Sequence, residues 1–286
     1  MELSLEFWYL FPVSILIATI AMSTGIGGAV FFSPLFMLAL KLEPKIAVGA
    51  ALITELFGFS SGLIAYYKTK LIDFKLAKNL LVFSVPAAII GAYYAEMVPP
   101  MVLKTIFAVG LVFIGFQLFN AWRKEEREKK EVERREEFAI KHESELTDAE
   151  GNTYRYTVCN RTMGRSFAAI GGAFIGMISV GLAELQEYHL VARCKVPTPV
   201  AVATSIFVVV ITVLVASAGH FYEFAVAGGE VLDQVMSVVL FTVPGVVIGG
   251  QLGPKLQKNL PEDKMKVGIS ILFVILGFFM LYTLTT

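Results

Sequence analysis

The sequence is poor in cysteine, in histidine and in net charge of either sign. Its 24 basic and 24 acidic side chains cancel to a formal net charge of zero, and it has three histidines. The lack of a basic excess argues against a nucleic-acid partner. The two cysteines, Cys159 and Cys194, have no CxxC or zinc-ligand spacing, which argues against a structural metal and a disulfide scaffold. The N-terminus lacks the positively charged segment of a cleaved signal peptide, so we expect the first apolar segment to be retained.

Apolar residues make up 56% of the chain and charged residues only 17%. They form long blocks, and a helix needs roughly 17–25 such residues to cross a bilayer. The runs are continuous rather than alternating, which favours a helical bundle over a barrel. The sequence therefore predicts an all-α polytopic membrane protein. The blocks lie at about 7–24, 46–66, 79–97, 101–121, 166–182, 198–218, 232–252 and 267–284.

The chain contains an internal repeat. The segment 45–52 aligns with 199–206, and the segment 83–86 aligns with 241–244. Five residues after the end of 83–86 and of 241–244, the chain has a glycine, Gly91 and Gly249 respectively. Val98-Pro99 then aligns with Leu260-Pro261. Three blocks in the same order predict a duplication, with a first membrane repeat at 1–121, a charged insert at 122–165 and a second membrane repeat at 166–286.

The insert holds close to half of the charges of the chain. Its Glu-, Lys- and Arg-rich start at 121–137 predicts a solvated helix. The segment 138–158, with turn residues at 148–152, predicts a short β-hairpin. We interpret the insert as a solvated connector, with a regulatory partner site as the alternative.

Lysines in the short loops indicate the orientation of the two repeats. The loop 68–78 contains four lysines, whereas the matching stretch 220–233 contains no Lys or Arg. The loop 96–103 has no basic residue, whereas its counterpart 255–266 has four lysines. Because basic loops stay in the cytoplasm, this exchange predicts two inverted repeats. It places the insert in the cytoplasm. The absence of a disulfide pattern and of a transit peptide favours the plasma membrane, the inner membrane of a bacterium, as the location of the chain.

One stretch is too short for the crossings that this orientation requires. The segment 166–195 must begin and end on the cytoplasmic side, but about thirty helical residues reach only ~45 Å. Two crossings need ~60 Å. We therefore expect a broken hairpin that turns inside the membrane near Ser179–Gly181, and an equivalent break near Gly25–Gly28 within 7–44. Each repeat then adds three transmembrane helices to its hairpin.

Such breaks are typical of anion sites. A broken helix offers free N–H groups and a partial positive charge, and glycine allows a ligand to approach the backbone. Packing between helices is the alternative role for these small residues. The predicted substrate-binding residues are Ser23, Gly25, Gly27, Gly28, Ser179, Gly181, Thr204, Ser205 and Arg193.

Charged residues inside apolar segments are costly and usually functional. Glu55 lies in the middle of the 46–66 block, and Glu184, Glu187 and His189 lie in the second hairpin. We predict that these four residues couple transport to protons. An interfacial polar cluster is the alternative for Glu187, His189 and Arg193.

The sequence resembles the TauE/SafE family of sulfite exporter-like anion permeases. The resemblance rests on Gly25–Gly28 with Pro34, on the segments 47–49 and 201–205, and on the two Val-Pro helices at 85–86 and 243–244. It implies a transporter of sulfite, sulfoacetate, thiosulfate or a related anion, with the glycine breaks and neighbouring hydroxyls lining the site. The second hairpin departs from the family pattern, because Glu184 follows Gly181 where further glycines and a proline are expected. An acidic hairpin disfavours an anion unless its carboxylates are protonated or paired with Arg193.

Three other interpretations stay open. An intramembrane serine hydrolase would use Ser60 of the GxSxG pattern at 58–62 with His189, although the same pattern matches a Gly-xxx-Gly packing motif. A cation or metal permease would use Glu55, Glu184 and Glu187 as oxygen ligands. A channel is the third. We expect no cofactor, and we expect the anion and the lipid bilayer as partners, with a homodimer left open.

Overall fold

The computed structural model describes residues 5–132, 144–257 and 262–284. The predicted apolar blocks form helices, preceded by a 3₁₀ turn at Leu5–Phe7. The helices of the first part are α1 (Leu10–Thr24), α2 (Ala29–Leu38), α3 (Pro44–Lys68), α4 (Phe74–Met97) and α5 (Pro100–Val132). Those of the second part are α6 (Arg161–Ile178), α7 (Leu182–Glu187) with a π-helical continuation (Tyr188–Arg193), α8 (Thr198–Ala227), α9 (Gly229–Gln257) and α10 (Glu262–Tyr282).

Five of the described helices are long and apolar enough to cross a membrane. They are α3, α4, α5 up to Asn120, α8 and α9 up to Leu256. Shorter apolar helices are α1, α2 and the segment Val267–Tyr282 of α10. Large apolar side chains on α4, α5 and α10 are exposed on the outside of the bundle, where lipid would cover them. The chain is therefore a multi-pass helical membrane protein.

Both helix breaks lie at the glycines that the sequence indicates. Gly25 ends α1 in the left-handed region with φ of 77°, and α2 begins at Ala29 after Gly28. In the second part, Ser179 (φ 58°) and Gly181 (φ 115°) separate α6 from α7. A positive φ is strained for residues with a side chain, which explains why glycine occupies two of these three positions.

The two parts of the chain interlock. α1 packs along α9, and α6 packs along α4, while α3 and α8 contact one another and α5 pairs with α10. Glycines allow the close approach: a methyl group at Gly172 would overlap the Ser84 carbonyl, and one at Gly245 would overlap the Phe11 carbonyl. Each broken hairpin therefore rests against a helix that belongs to the other part of the chain.

The insert contains the predicted β-hairpin. Strands β1 (Ser144–Thr147) and β2 (Thr153–Tyr156) pair antiparallel, with Ser144 opposite Tyr156. Asp148 organises the turn by accepting hydrogen bonds from the backbone N–H groups of Glu150 and Asn152. α5 runs on to Val132, in agreement with the start of the predicted solvated helix. Its last predicted residues, 133–137, lie outside the described residues.

A disulfide between Cys159 and Cys194 corrects the expectation that the cysteines form no bridge. Their sulfur atoms are bonded, and both cysteines of the chain are used. Cys159 follows β2, and Cys194 follows the π-helical segment, so the bond joins the end of the insert to the end of the second hairpin. Sequence spacing could not indicate this pair, because the two residues lie 35 positions apart and meet only through the fold.

Candidate functional site

The two helix breaks meet at the carboxylate of Glu184. Its Oε1 accepts a hydrogen bond from the Gly27 N–H at 3.2 Å, and its Oε2 accepts one from the Gly181 N–H at 3.0 Å. The second contact is an ordinary cap, because Glu184 is the third residue of α7. The first contact joins residues 157 positions apart. Glu184 is 2% exposed, so one buried carboxyl group bridges the backbone donors of both breaks.

Glu55 on α3 faces the same place. Its side chain is 1% exposed, and a methyl group added at Gly27 would lie 3.0 Å from Glu55 Oε1 and 3.3 Å from Glu184 Oε1. The Glu55 carboxylate faces the backbone amides of Gly28 and Ala29 at the start of α2. Neither of its oxygens completes a hydrogen bond within the described part of the chain. Two carboxylates thus approach one glycine, and like charges so close together in a buried site repel strongly.

Two hydroxyls also join the two broken hairpins. Ser33 on α2 and Ser179 at the end of α6 lie 2.6 Å apart, Oγ to Oγ. Ser179 also donates to the Ile178 carbonyl, whereas Ser23 donates to the Ile20 carbonyl within its own helix. The breaks are therefore in direct contact through side chains as well as through Glu184.

The predicted residues of α8, Thr204 and Ser205, differ in their contacts. The Val202 side chain contacts the position that a methyl group at Gly25 would occupy, at 3.1 Å. The Thr204 hydroxyl accepts a hydrogen bond from the Asp73 N–H at 3.0 Å. Ser205 is 3% exposed, and its hydroxyl has no hydrogen-bond partner among the described residues. Thr204 thus fastens the loop before α4, while Ser205 retains an unused donor.

Three predicted residues lie at the far end of the second hairpin. Arg193 is exposed, and its guanidinium donates to the Met163 sulfur at 3.2 Å. The His189 ring packs against Phe167, and its Nε2 lies 3.6 Å from Cys194 Sγ. Glu187, the last residue of α7, is 8% exposed. The structure therefore separates the predicted residues into a group at the breaks and a group at the hairpin end.

A contact of the β-hairpin with the membrane domain was not expected. The Tyr156 hydroxyl donates to Asp73 Oδ2 at 2.8 Å, and the Ala149 N–H donates to the Thr69 carbonyl at 2.9 Å. Burial, then the contact with Asp73, raises the pKa of Tyr156 above its usual value. The Asn152 side chain, followed by backbone N–H groups of the turn, lowers the pKa of Asp148. The only sequence signal was Asp73 before Phe74, which is typical of a helix N-cap, and Asp73 does cap α4.

The structure bears on two alternative sites, the carboxylate metal site of a cation permease and the GxSxG pattern of a serine hydrolase. Among the described residues, no three His, Cys, Asp or Glu side chains come together in a way that could hold a metal ion. In the GxSxG pattern, Gly58 faces Val246 of α9, and Gly62 faces Met22 and the Gly250 carbonyl. Both glycines therefore serve helix packing, as the Gly-xxx-Gly interpretation predicts.

Comparison with known proteins supports a transporter. A Bacillus subtilis (strain 168) protein described as "Probable membrane transporter protein YunE" is 22% identical over 285 residues, which cover 97% of this chain and 98% of the relative. A second protein of that strain, "Probable membrane transporter protein YjnA", is 39% identical over 80 residues, which cover 27% of this chain and 30% of the relative. No solved structure matches the chain.

The family comparison covers nearly the whole chain. A family model described as "Sulfite exporter TauE/SafE" matches residues 10–280, which include both broken hairpins and the insert. The helices of the fold and the transporter relatives agree with this assignment. The chain therefore belongs to the sulfite exporter TauE/SafE family and is a multi-pass membrane transporter.

Proposed function

We propose that the protein is a secondary transporter of a small sulfur-containing anion, such as sulfite, sulfoacetate or thiosulfate, bound between the two helix breaks and coupled to protons. The observation that carries the proposal is the convergence of the Gly27 and Gly181 N–H groups on one carboxylate. Backbone N–H donors in a buried site select anions, because a cation would require oxygen ligands.

Protons fit this site because Glu55 and Glu184 share it. When an anion enters beside two buried carboxylates, the accumulated negative charge is unfavourable. Uptake of a proton by a carboxylate removes part of that charge. Anion and proton would therefore bind together, which is the basis of coupled transport.

The packing pattern supports two inverted repeats. α1 rests on α9 as α6 rests on α4, and the aligned glycines Gly91 and Gly249 face α6 and α1, respectively. Together with the exchange of basic loops, this pattern supports alternating access between two related halves. In this orientation the insert lies in the cytoplasm and the transporter in the plasma membrane.

The binding test compares two glycine substitutions in the purified protein. Gly27→Ala would place a methyl group 3.0 Å from Glu55 Oε1, in the centre of the site. Gly268→Ala is the matched control, because a methyl group there meets nothing within 4 Å. We expect sulfite, thiosulfate or sulfoacetate to raise the melting temperature of the wild type and of Gly268→Ala, and to leave that of Gly27→Ala unchanged.

Transport by the same proteins in liposomes completes the test. An inward anion flux that rises with an imposed proton gradient, and that Gly27→Ala abolishes, is the expected result. Stabilisation by divalent cations alone, with no response to any anion, would contradict the proposal and favour the cation permease.

A further inference from the structure

We infer that Glu184 is an internal competitor for the substrate: its charged carboxylate occupies the anion site, and a substrate anion binds when that carboxylate accepts a proton and leaves the Gly27 and Gly181 N–H groups. This inference rests on the proposed anion transport and names the residue that couples it to protons.

The bridging contact cannot be explained by helix capping alone. A capping glutamate satisfies the first amide of its own helix, and Glu184 Oε2 does this with Gly181. Its other oxygen reaches a glycine of the first break. The two oxygens of one carboxylate thus use one donor from each break, as two oxygens of a small oxyanion would.

Glu55 supplies an independent reason to expect a ligand. Its buried carboxylate faces the same glycine and completes no hydrogen bond in the described ranges, although the Gly28 and Ala29 amides lie near it. A buried polar group without a partner is unfavourable, and that cost disappears if the group carries a proton and donates it to a bound oxyanion. The site therefore has two amide donors and one acid, which together match a small anion with several oxygens.

The other charged groups lie on the same hairpin and farther along it. Glu187, His189 and Arg193 follow Glu184 in the chain, and Arg193 is exposed beside Met163. Glu55 is the ionisable residue that faces Glu184 from α3. Protonation of Glu184 therefore removes the electrostatic repulsion between its carboxylate and that of Glu55.

The direction of the pH effect follows from this competition. At higher pH the charged carboxylate holds both amides, and the anion must displace it. At lower pH the neutral carboxyl holds them weakly, because a hydrogen bond to a charged group is about twice as strong as one to a neutral group. Anion affinity of the wild type should therefore increase as the pH falls.

The test measures anion affinity against pH for the wild type, Glu184→Gln and Glu43→Gln. Glutamine has the size of glutamate and carries no charge at any pH. Glu43 is the matched control, because it is exposed and makes no cap hydrogen bond. The measurement is calorimetric titration with sulfite and with thiosulfate on protein in lipid nanodiscs, with sulfoacetate, which does not titrate in this range, as the reference for ligand protonation.

In Glu184→Gln we expect an affinity about tenfold higher than in the wild type at neutral or higher pH, with a weaker pH dependence that comes from Glu55 alone. The factor corresponds to a difference of about 1.4 kcal/mol between charged and neutral hydrogen bonds. Counterflow in liposomes should continue, while proton movement that accompanies the anion should be lost. Glu43→Gln should match the wild type in all three measurements.

Two other outcomes separate this inference from the proposed function. If the wild type binds the anions but Glu184→Gln binds them more weakly, or retains the full pH dependence, the competitor role is wrong and anion transport stands. If neither wild type nor variant binds any anion, the proposed function fails as well. Glu184→Asp is a second variant for the case that Glu184→Gln does not fold. The shorter side chain of aspartate cannot bridge both breaks, so we expect tighter anion binding that still depends on pH. An affinity equal to that of the wild type would overturn the inference.

Discussion

Single glycines set the closest contacts in this membrane domain. Gly172 and Gly176 of α6 lie against backbone atoms of α4, and Gly245 and Gly249 of α9 lie against backbone atoms of α1. Backbone cannot move aside as the end of a flexible side chain can. At these positions the absence of a side chain is therefore a packing requirement and not a matter of local conformation.

Replacing Gly172 should destabilise the protein without touching the proposed site. A methyl group there would overlap the Ser84 carbonyl, and overpacking of this kind costs about 1–3 kcal/mol. We expect Gly172→Ala to lower the melting temperature in detergent by several degrees, while Gly268→Ala, with open space around it, leaves it unchanged. Equal melting temperatures for the two variants would show that α4 and α6 adjust at little cost.

The sequence alone indicates some residues of the candidate site and not the contacts between them. Gly25, Gly27 and Gly181 are visible as breaks in apolar helices, and Glu55 and Glu184 are visible as charges in the same segments. The contact between Glu184 and Gly27 is not, because it joins two segments that only the packing of the two halves brings together. The contact between Asp73 and Tyr156 has no sequence signal for the same reason, because it joins residues 83 positions apart.

At the scale of elements, both broken hairpins and the β-hairpin follow from local patterns. Length against membrane thickness predicted the breaks, and turn residues predicted β1 and β2. The docking of the β-hairpin on the loop before α4 has no local signal, since it depends on a tyrosine that meets Asp73 from 83 positions away. The disulfide holds the chain that follows β2 against the end of the second hairpin.

Removing the Tyr156 hydroxyl should loosen the docked β-hairpin. In Tyr156→Phe the hydrogen bond to Asp73 Oδ2 is lost, so we expect faster hydrogen exchange at 144–156 and in the loop 69–73. Exchange in α9 should stay as in the wild type and serves as the internal control. Unchanged exchange at 144–156 would mean that the backbone contact from Ala149 to Thr69 is sufficient.

The same segment should respond to pH in a defined direction. The pKa of Tyr156 is raised, so its contribution is complete below the unfolded value of about 10 and is lost as the pH rises through the higher folded value. The pKa of Asp148 is lowered, so its contribution is present above about 3.9 and is lost as the pH falls through the lower folded value. Between about pH 5 and about pH 9, which lies inside the range set by these two reference values, neither group titrates. The hydrogen-exchange rate at 144–156, corrected for the intrinsic pH dependence of amide exchange, should therefore be constant over this range.

At the scale of the whole molecule, the orientation of the repeats can be tested with the two native cysteines. The proposed orientation places Cys159 and Cys194 on the cytoplasmic side of the membrane. Because the two cysteines are bonded to each other, the cells are first treated with a membrane-permeant reductant. We then expect no labelling by a membrane-impermeant maleimide in intact cells, and labelling of both residues once the membrane is permeabilised. Labelling of intact cells after mild reduction would instead place the insert outside and reverse the orientation.

The interlocked packing also determines when the transporter can be completed during its synthesis. α1 leaves the ribosome first, yet its partner α9 begins at Gly229, after most of the chain has been made. Until then α1 and its glycine break lie in the bilayer without this partner, in contact with lipid or with an insertion chaperone. The site between the two helix breaks is thus among the last parts of the molecule to assemble, because α7 and α9 both follow the insert in the chain.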